Sequence, residues 1–192
     1  MTAKEFLKRF ESLFEVGSDS LKDAQDNWEN SKKFTDDFVK RHIPEIMKES
    51  EGTQTEFEYY RIDIIAYDNS RKEEAKQIAK SLELDEIEFS PYLWDLKIAL
   101  EHENDKGEWL DEVVKLSHIN CPLRVVIGYA KPENEEKCIT LASKVLQKKI
   151  GNNTPKGQDF LLILGKSGEI ANNVSATTYH PYIYRNGKFI KA

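Results

Sequence analysis

The sequence predicts an α/β domain, a mixed central sheet flanked by helices and preceded by a helical pair. Three observations carry that prediction. Runs with strand alternation or β-branched enrichment recur at 57–68, 94–103, 123–129 and 160–164. Stretches with helical spacing lie between them. The chain then ends on two short runs, 182–185 and 188–191, around Asn186-Gly187, a dipeptide that favours the type I′ hairpin turn.

Taken in order, residues 3–16 place Phe6, Phe10, Leu13 and Phe14 on one face of an amphipathic helix. A polar loop follows. A second helix over 31–48 carries Phe34, Phe38, Val39, Ile43 and Ile46, with Pro44 expected to kink or divide it. FEYYRIDIIAYD, 57–68, reads as one strand, and Asn69-Ser70 as the cap of the helix after it. In the strand 94–103, Trp94, Leu96, Ile98 and Leu100 point one way; Asp95, Lys97, Ala99, Glu101 and Glu103 point the other. Residues 104–107 turn into a helix over 108–118 that buries Trp109, Leu110, Val113 and Leu116 and exposes Glu108, Glu112 and Lys115. The apolar run 123–129 predicts a strand covered on both faces. Pro132 and the acids of 133–136 open a further helix, which closes on Lys148-Lys149 before Gly151, as the helix dipole favours. No internal repeat or low-complexity linker interrupts the chain, so one domain spans 1–192: a helical part over 1–50, a core over 55–130, and a helix, strand and hairpin over 131–192.

The 192 residues, 39% hydrophobic and 32% charged, suffice for one well-cored domain with a charged surface. No run approaches a membrane span, and MTAKEFLKRFESLF is amphipathic rather than signal-like. Cys121 and Cys138 are too few for a disulfide framework, which points to a reducing cytoplasm. The net charge of −6 is uneven: residues 131–192 hold ten Lys and Arg against five Asp and Glu, a net of +5, so 1–130 carry −11. An acidic front and a basic rear fit a metal site beside a phosphate-facing surface, and fit equally an ordinary solvated surface.

Glu101 and Glu103 stand side by side at the polar end of a strand whose other face is core. Such carboxylates repel unless a cation or a shared proton sits between them. Asp63, set among Ile62, Ile64 and Ile65, is a costly acid to bury unpaired. It either pairs with Arg61, two residues away, or joins Glu101 and Glu103 from a neighbouring strand. Hard cations such as Mg²⁺ take oxygen ligands of this kind. Glu45 and Glu49 are more distant acids, surface groups by default. Other signals fail. Gly165-Lys166-Ser167 lacks the glycine of a phosphate loop five positions earlier, where Phe160 stands. His42, His102, His118 and His180 have no zinc spacing with the cysteines.

Asp63, then Glu101-His102-Glu103 on an alternating strand, then a helix and an apolar strand, resembles the PD-(D/E)XK nuclease superfamily, in a Glu-x-Glu variant. The resemblance implies a restriction-endonuclease-like domain that hydrolyses DNA with Mg²⁺, or Mn²⁺ in its place. Asp63 and Glu101 would then be metal ligands, and His102 would lend its backbone carbonyl. Glu103 stands where most members have lysine; it would bind the attacking water, accept its proton or ligate a second metal. Lys115 would replace the missing lysine, although an i,i+3 pair with Glu112 accounts for it equally. DNA would be held by Lys144, Lys148, Lys149, Arg185, Lys188 and Lys191, and a homodimer is an assembly this reading admits. The other class of reading is a non-enzymatic protein that keeps the fold and offers its acidic front to a protein partner.

Overall fold

The structure is a computed structural model that describes residues 1–14, 21, 31–84, 86–89, 95–104, 107–166 and 178–192, with the backbone alone at Ser31, Lys32 and Asp37. Trp94, Asp105, Lys106, Ser167, residues 15–16 of the expected first helix and the expected loop over 17–30, except for Leu21, lie outside the described residues. Among the described residues seven strands form one mixed sheet whose spatial order follows the chain: β1 (Gln54–Tyr59), β2 (Ile62–Tyr67), β3 (Leu96–His102), β4 (Leu123–Ala130), β5 (Asp159–Lys166), β6 (Tyr179–Arg185) and β7 (Lys188–Lys191). Pairs β3–β4 and β4–β5 are parallel and the others antiparallel. Parallel neighbours need a crossover, and α5 (Trp109–Ser117) and α6 (Glu135–Ile150) supply the two here.

Helices cover both faces. On one lie α1 (Ala3–Ser12) and a helical run made of α2 (Ser31–Phe34), a π-helical segment (Thr35–Lys40) and α3 (Arg41–Met47). Phe6, Phe10, Phe38, Ile43 and Met47 pack there against Ile64, Leu100, Val125 and Ile163. On the other face α5 and α6 bring Trp109, Val113, Leu116 and Leu146 onto Ile65, Ala99, Val126 and Leu162. Between β2 and β3 stands α4 (Ser70–Ser81), which buries only Ala79. The α/β architecture is therefore as the sequence predicts, and all eight residues of β4 are buried. Among the described residues no helix is long and apolar enough to cross a membrane.

Two local readings are corrected and two are refined. Residues 57–68 are a hairpin, not one strand: Tyr60 and Arg61 take φ of 47° and 64°, the left-handed pair of a type I′ turn, and Tyr59 pairs with Ile62. Twelve extended residues would reach about 40 Å, longer than any strand here. Leu96 packs with Tyr67 and Ala99 rather than with Ile98 and Leu100, because the β2–β3 register shifts at Ala66/Tyr67. Pro44 does divide its helix, but by a π-helical segment ending at Lys40, the residue whose carbonyl Pro44 has no N–H to meet. Asn69 stands at the N-cap of α4 as expected, but its side chain makes no cap; Asp68 Oδ1 accepts instead from the N–H of Ser70 at 3.1 Å and from its hydroxyl at 2.6 Å.

Candidate functional site

Ile64 sits opposite Leu100 in the antiparallel β2–β3 pair, so one step further along Asp63 stands across from Glu101. Ile64 and Leu100 face α1 and α3; by alternation both acids face α5. Trp109 fixes that helix above the sheet, lying so close on Gly128 that a Cβ there would meet its indole at 2.6 Å. From the same helix Lys115 reaches back, its Nζ 2.9 Å from Glu101 Oε1, paired with Glu112, and donating to the Arg61 carbonyl at 3.0 Å. An ammonium has three protons, and three acceptors surround this one.

Glu101 is 1% exposed. Burial pushes its pKa up to about 8; Lys115 opposes the rise, while Asp63 and Glu112 add to it. Burial raises Asp63 as well, against the N–H of His102, which donates to Oδ2 at 2.8 Å; Glu58 presses in the same direction as burial. For Lys115 burial favours the neutral amine, but Glu112 and Glu101 outweigh it and hold the ammonium. The cluster is thus three acids around one cation.

The predicted site residues separate on this geometry. Asp63, Glu101 and Lys115 come together, and Glu112 joins them as a member the sequence reading treated only as the helical partner of Lys115. Arg61 does not pair with Asp63: the turn exposes its side chain and leaves its carbonyl to Lys115. The group of His102 that touches the pair is its amide N–H. Its ring lies on the other face, between Phe34 and Phe38, with Nε2 2.9 Å from the Tyr129 hydroxyl, and burial alone drives its pKa down to about 3. Glu103 is half-buried just past the end of β3, its N–H donating to Ile127 at 2.9 Å. Among the described residues no three Asp, Glu, His or Cys side chains are placed to hold one metal ion together, so the expected Asp63–Glu101–Glu103 centre is an acid pair instead. Glu45 pairs with Lys48 at 2.7 Å and Glu49 with the Met1 amine, away from the site.

The basic residues expected to grip DNA are dispersed. Glu101 aligns across the sheet with Val126, Leu162 and Tyr182, so β6 is about 14 Å to the side at the usual strand spacing. Arg185 lies three residues beyond Tyr182 and is held by Asp159 at 2.5 Å. Lys148 and Lys149 border a groove between α5 and α6 that Val113, Val114 and Val145 line. Sequence reading also missed a polar cluster on β6, where Glu135 accepts from the Tyr182 hydroxyl and meets His180 Nδ1 at 2.7 Å. Those partners are over 40 residues apart in the chain, and no local pattern announces them. Comparison with family models, curated proteins and solved structures brings no match to this chain.

Proposed function

We propose that the protein is a divalent-cation-dependent phosphodiesterase of the endonuclease kind, acting on DNA in a reducing cytoplasm, with Asp63 and Glu101 as the cation's protein ligands. The observation that carries this reading is the facing of buried Glu101 and half-buried Asp63 across β2 and β3, with one ammonium to offset three acids. Their donor set is all oxygen, which suits Mg²⁺, and that ion is commonly held by one or two carboxylates with waters and substrate phosphates completing its shell. When bound, such a cation polarises a phosphate oxygen and lowers the pKa of a bound water.

The chain's own residues do the rest. The amide of His102 fixes Asp63 through Oδ2. Glu112 and the Arg61 carbonyl hold the ammonium of Lys115, 34% exposed, at the rim where a phosphate oxygen would meet it. Glu103 stands at the strand exit as a proton acceptor. Both thiols are free, in keeping with that compartment. Plasmid DNA incubated with Mg²⁺ or Mn²⁺ should be nicked by the wild type and left intact by Asp63→Ala. No cleavage of duplex, single-stranded or branched DNA with either ion would sink the proposal.

One observation favours the non-enzymatic reading: Lys115 already ion-pairs with Glu101 and Glu112 and donates to the Arg61 carbonyl, so the cluster is also a self-contained ion network. A calcium or manganese titration that leaves stability unchanged would favour it.

A further inference from the structure

Toward the other end of β3 from the acid pair, a cleft of about 450 Å³ opens between the strand ends, with Arg71, Asp95, Lys97, Asn120, Lys156 and Gln158 in its walls. We infer that this cleft binds a small phosphate monoester, a phosphate carrying a sugar-sized polar remainder. The inference is independent of the reading of Asp63 and Glu101.

The charges in the walls are unequal: three cations face one acid. Lys97 is committed, 3.1 Å from Asp68 and 3.4 Å from Asp95. Arg71 is not. It approaches Asp95 through Nε alone, at 3.5 Å, and is 68% exposed, which leaves its two terminal nitrogens for another acceptor. Lys156 is exposed and makes no ion pair among the described residues. The cleft therefore offers a guanidinium fork and a separate point charge, the two kinds of cation that phosphate oxygens accept from best.

Behind these lies a buried cation. Arg124, on β4, is 2% exposed and stacks over Phe160 at 5.2 Å. Its Nη2 donates to Gln158 Oε1 at 3.1 Å, and its Nε has no partner. Among the described residues no carboxylate touches it, and the Asp159 charge that acts on it is taken by Arg185. A guanidinium stays charged when buried, and an uncompensated buried charge is costly. Gln158 relays this arginine to the cleft: its Nε2 donates to Asn120 Oδ1 at 2.6 Å, and both amides line the wall. An anion in the cleft would thus lie one amide away from the buried charge and compensate it. A doubly charged phosphate matches Arg71 and Lys156 with Arg124 behind them, and the volume leaves room for more than the phosphate itself.

The test is a titration of the full chain with inorganic phosphate and with ribose 5-phosphate, followed by the side-chain amide resonances of Asn120 and Gln158 in NMR spectra. Both probes should shift those resonances saturably, with ribose 5-phosphate at least tenfold tighter. Lys156→Glu and Arg71→Glu should each weaken binding tenfold or more, whereas Lys149→Glu, on the α5–α6 groove, should leave it unchanged. Both cleft substitutions are at exposed side chains, and the amide spectrum itself reports whether the fold is kept. Shifts that never saturate, or affinity unchanged in both cleft variants, would overturn the site. Equal affinity for the two probes would overturn its assignment to an ester.

Discussion

Strands β2 and β3 carry an acid pair near each end, and the two pairs behave in opposite ways. Asp68 and Asp95 flank one end; Asp63 and Glu101 face each other at the other. Burial pushes Asp68 upward too, but two hydrogen bonds from Ser70 and the Lys97 ammonium more than offset it and hold its pKa at about 2. At Glu101 burial wins, and one shared lysine leaves it at about 8. Both are carboxylates at the ends of neighbouring strands. What differs is how many donors each carboxylate receives for the water it gives up. A well-supplied pair stabilises the fold, whereas a poorly supplied one is where an added cation gains most.

The contrast is broken most severely by removing the lysine. Lys115→Met leaves Glu101 buried without a cation and should cost about 3 kcal/mol at pH 9. The cost should shrink at pH 5, where Glu101 is protonated; urea unfolding at the two values compares them, and an equal loss would refute the account. Next comes the pH dependence of Glu101 itself. Its folded pKa lies above its unfolded one, so the folded state holds the extra proton and stability falls as pH rises from about 4.5 towards 8. Melting curves from pH 5 to 8 should show a decline on the order of 3 kcal/mol in the wild type, flattened in Glu101→Gln.

A smaller effect sharpens the comparison. Mg²⁺ at ten times its Kd should add about 1.4 kcal/mol at pH 8, reversibly with chelator, and nothing in Asp63→Asn. Smallest is Asp68→Asn, about 1 kcal/mol at pH 7, since it weakens one cap and one ion pair. Here the sign is reversed. The depressed pKa of Asp68 supplies stability above pH 3.8 that is lost as pH falls through about 2, so variant and wild type should converge in acid.

Legibility in the sequence followed the range of the interactions. Asn186-Gly187 gave away its hairpin because those residues take positive φ at little cost, as they do here at 50° and 78°. Tyr60-Arg61 makes the same turn without that chemistry, so the hairpin read as one strand. Alternation was enough to aim Asp63 and Glu101 correctly relative to their apolar neighbours. It failed at Leu96, where the pairing with β2 skips Lys97 and reverses a face. Glu103 was read as a third ligand because alternation was carried past the end of β3. The Asp68–Asp95 pair, the Glu135–His180–Tyr182 cluster and the Arg124–Gln158–Asn120 relay depend on contacts between distant segments, and nothing in their local sequence distinguishes them.

The sheet's order, β1 through β7 in the order of the chain, bears on how the protein forms. No strand has to slip between two that are already paired, so each can add to a growing edge as it leaves the ribosome. The hydrogen bond from the Ala3 N–H to Asp159 Oδ2, at 2.8 Å, spans 156 positions of sequence and is available only after β5 exists. The first helix of the chain is therefore among the last pieces to be fastened. Refolding traces should show α1 docking late, after the central strands have acquired protection from hydrogen exchange.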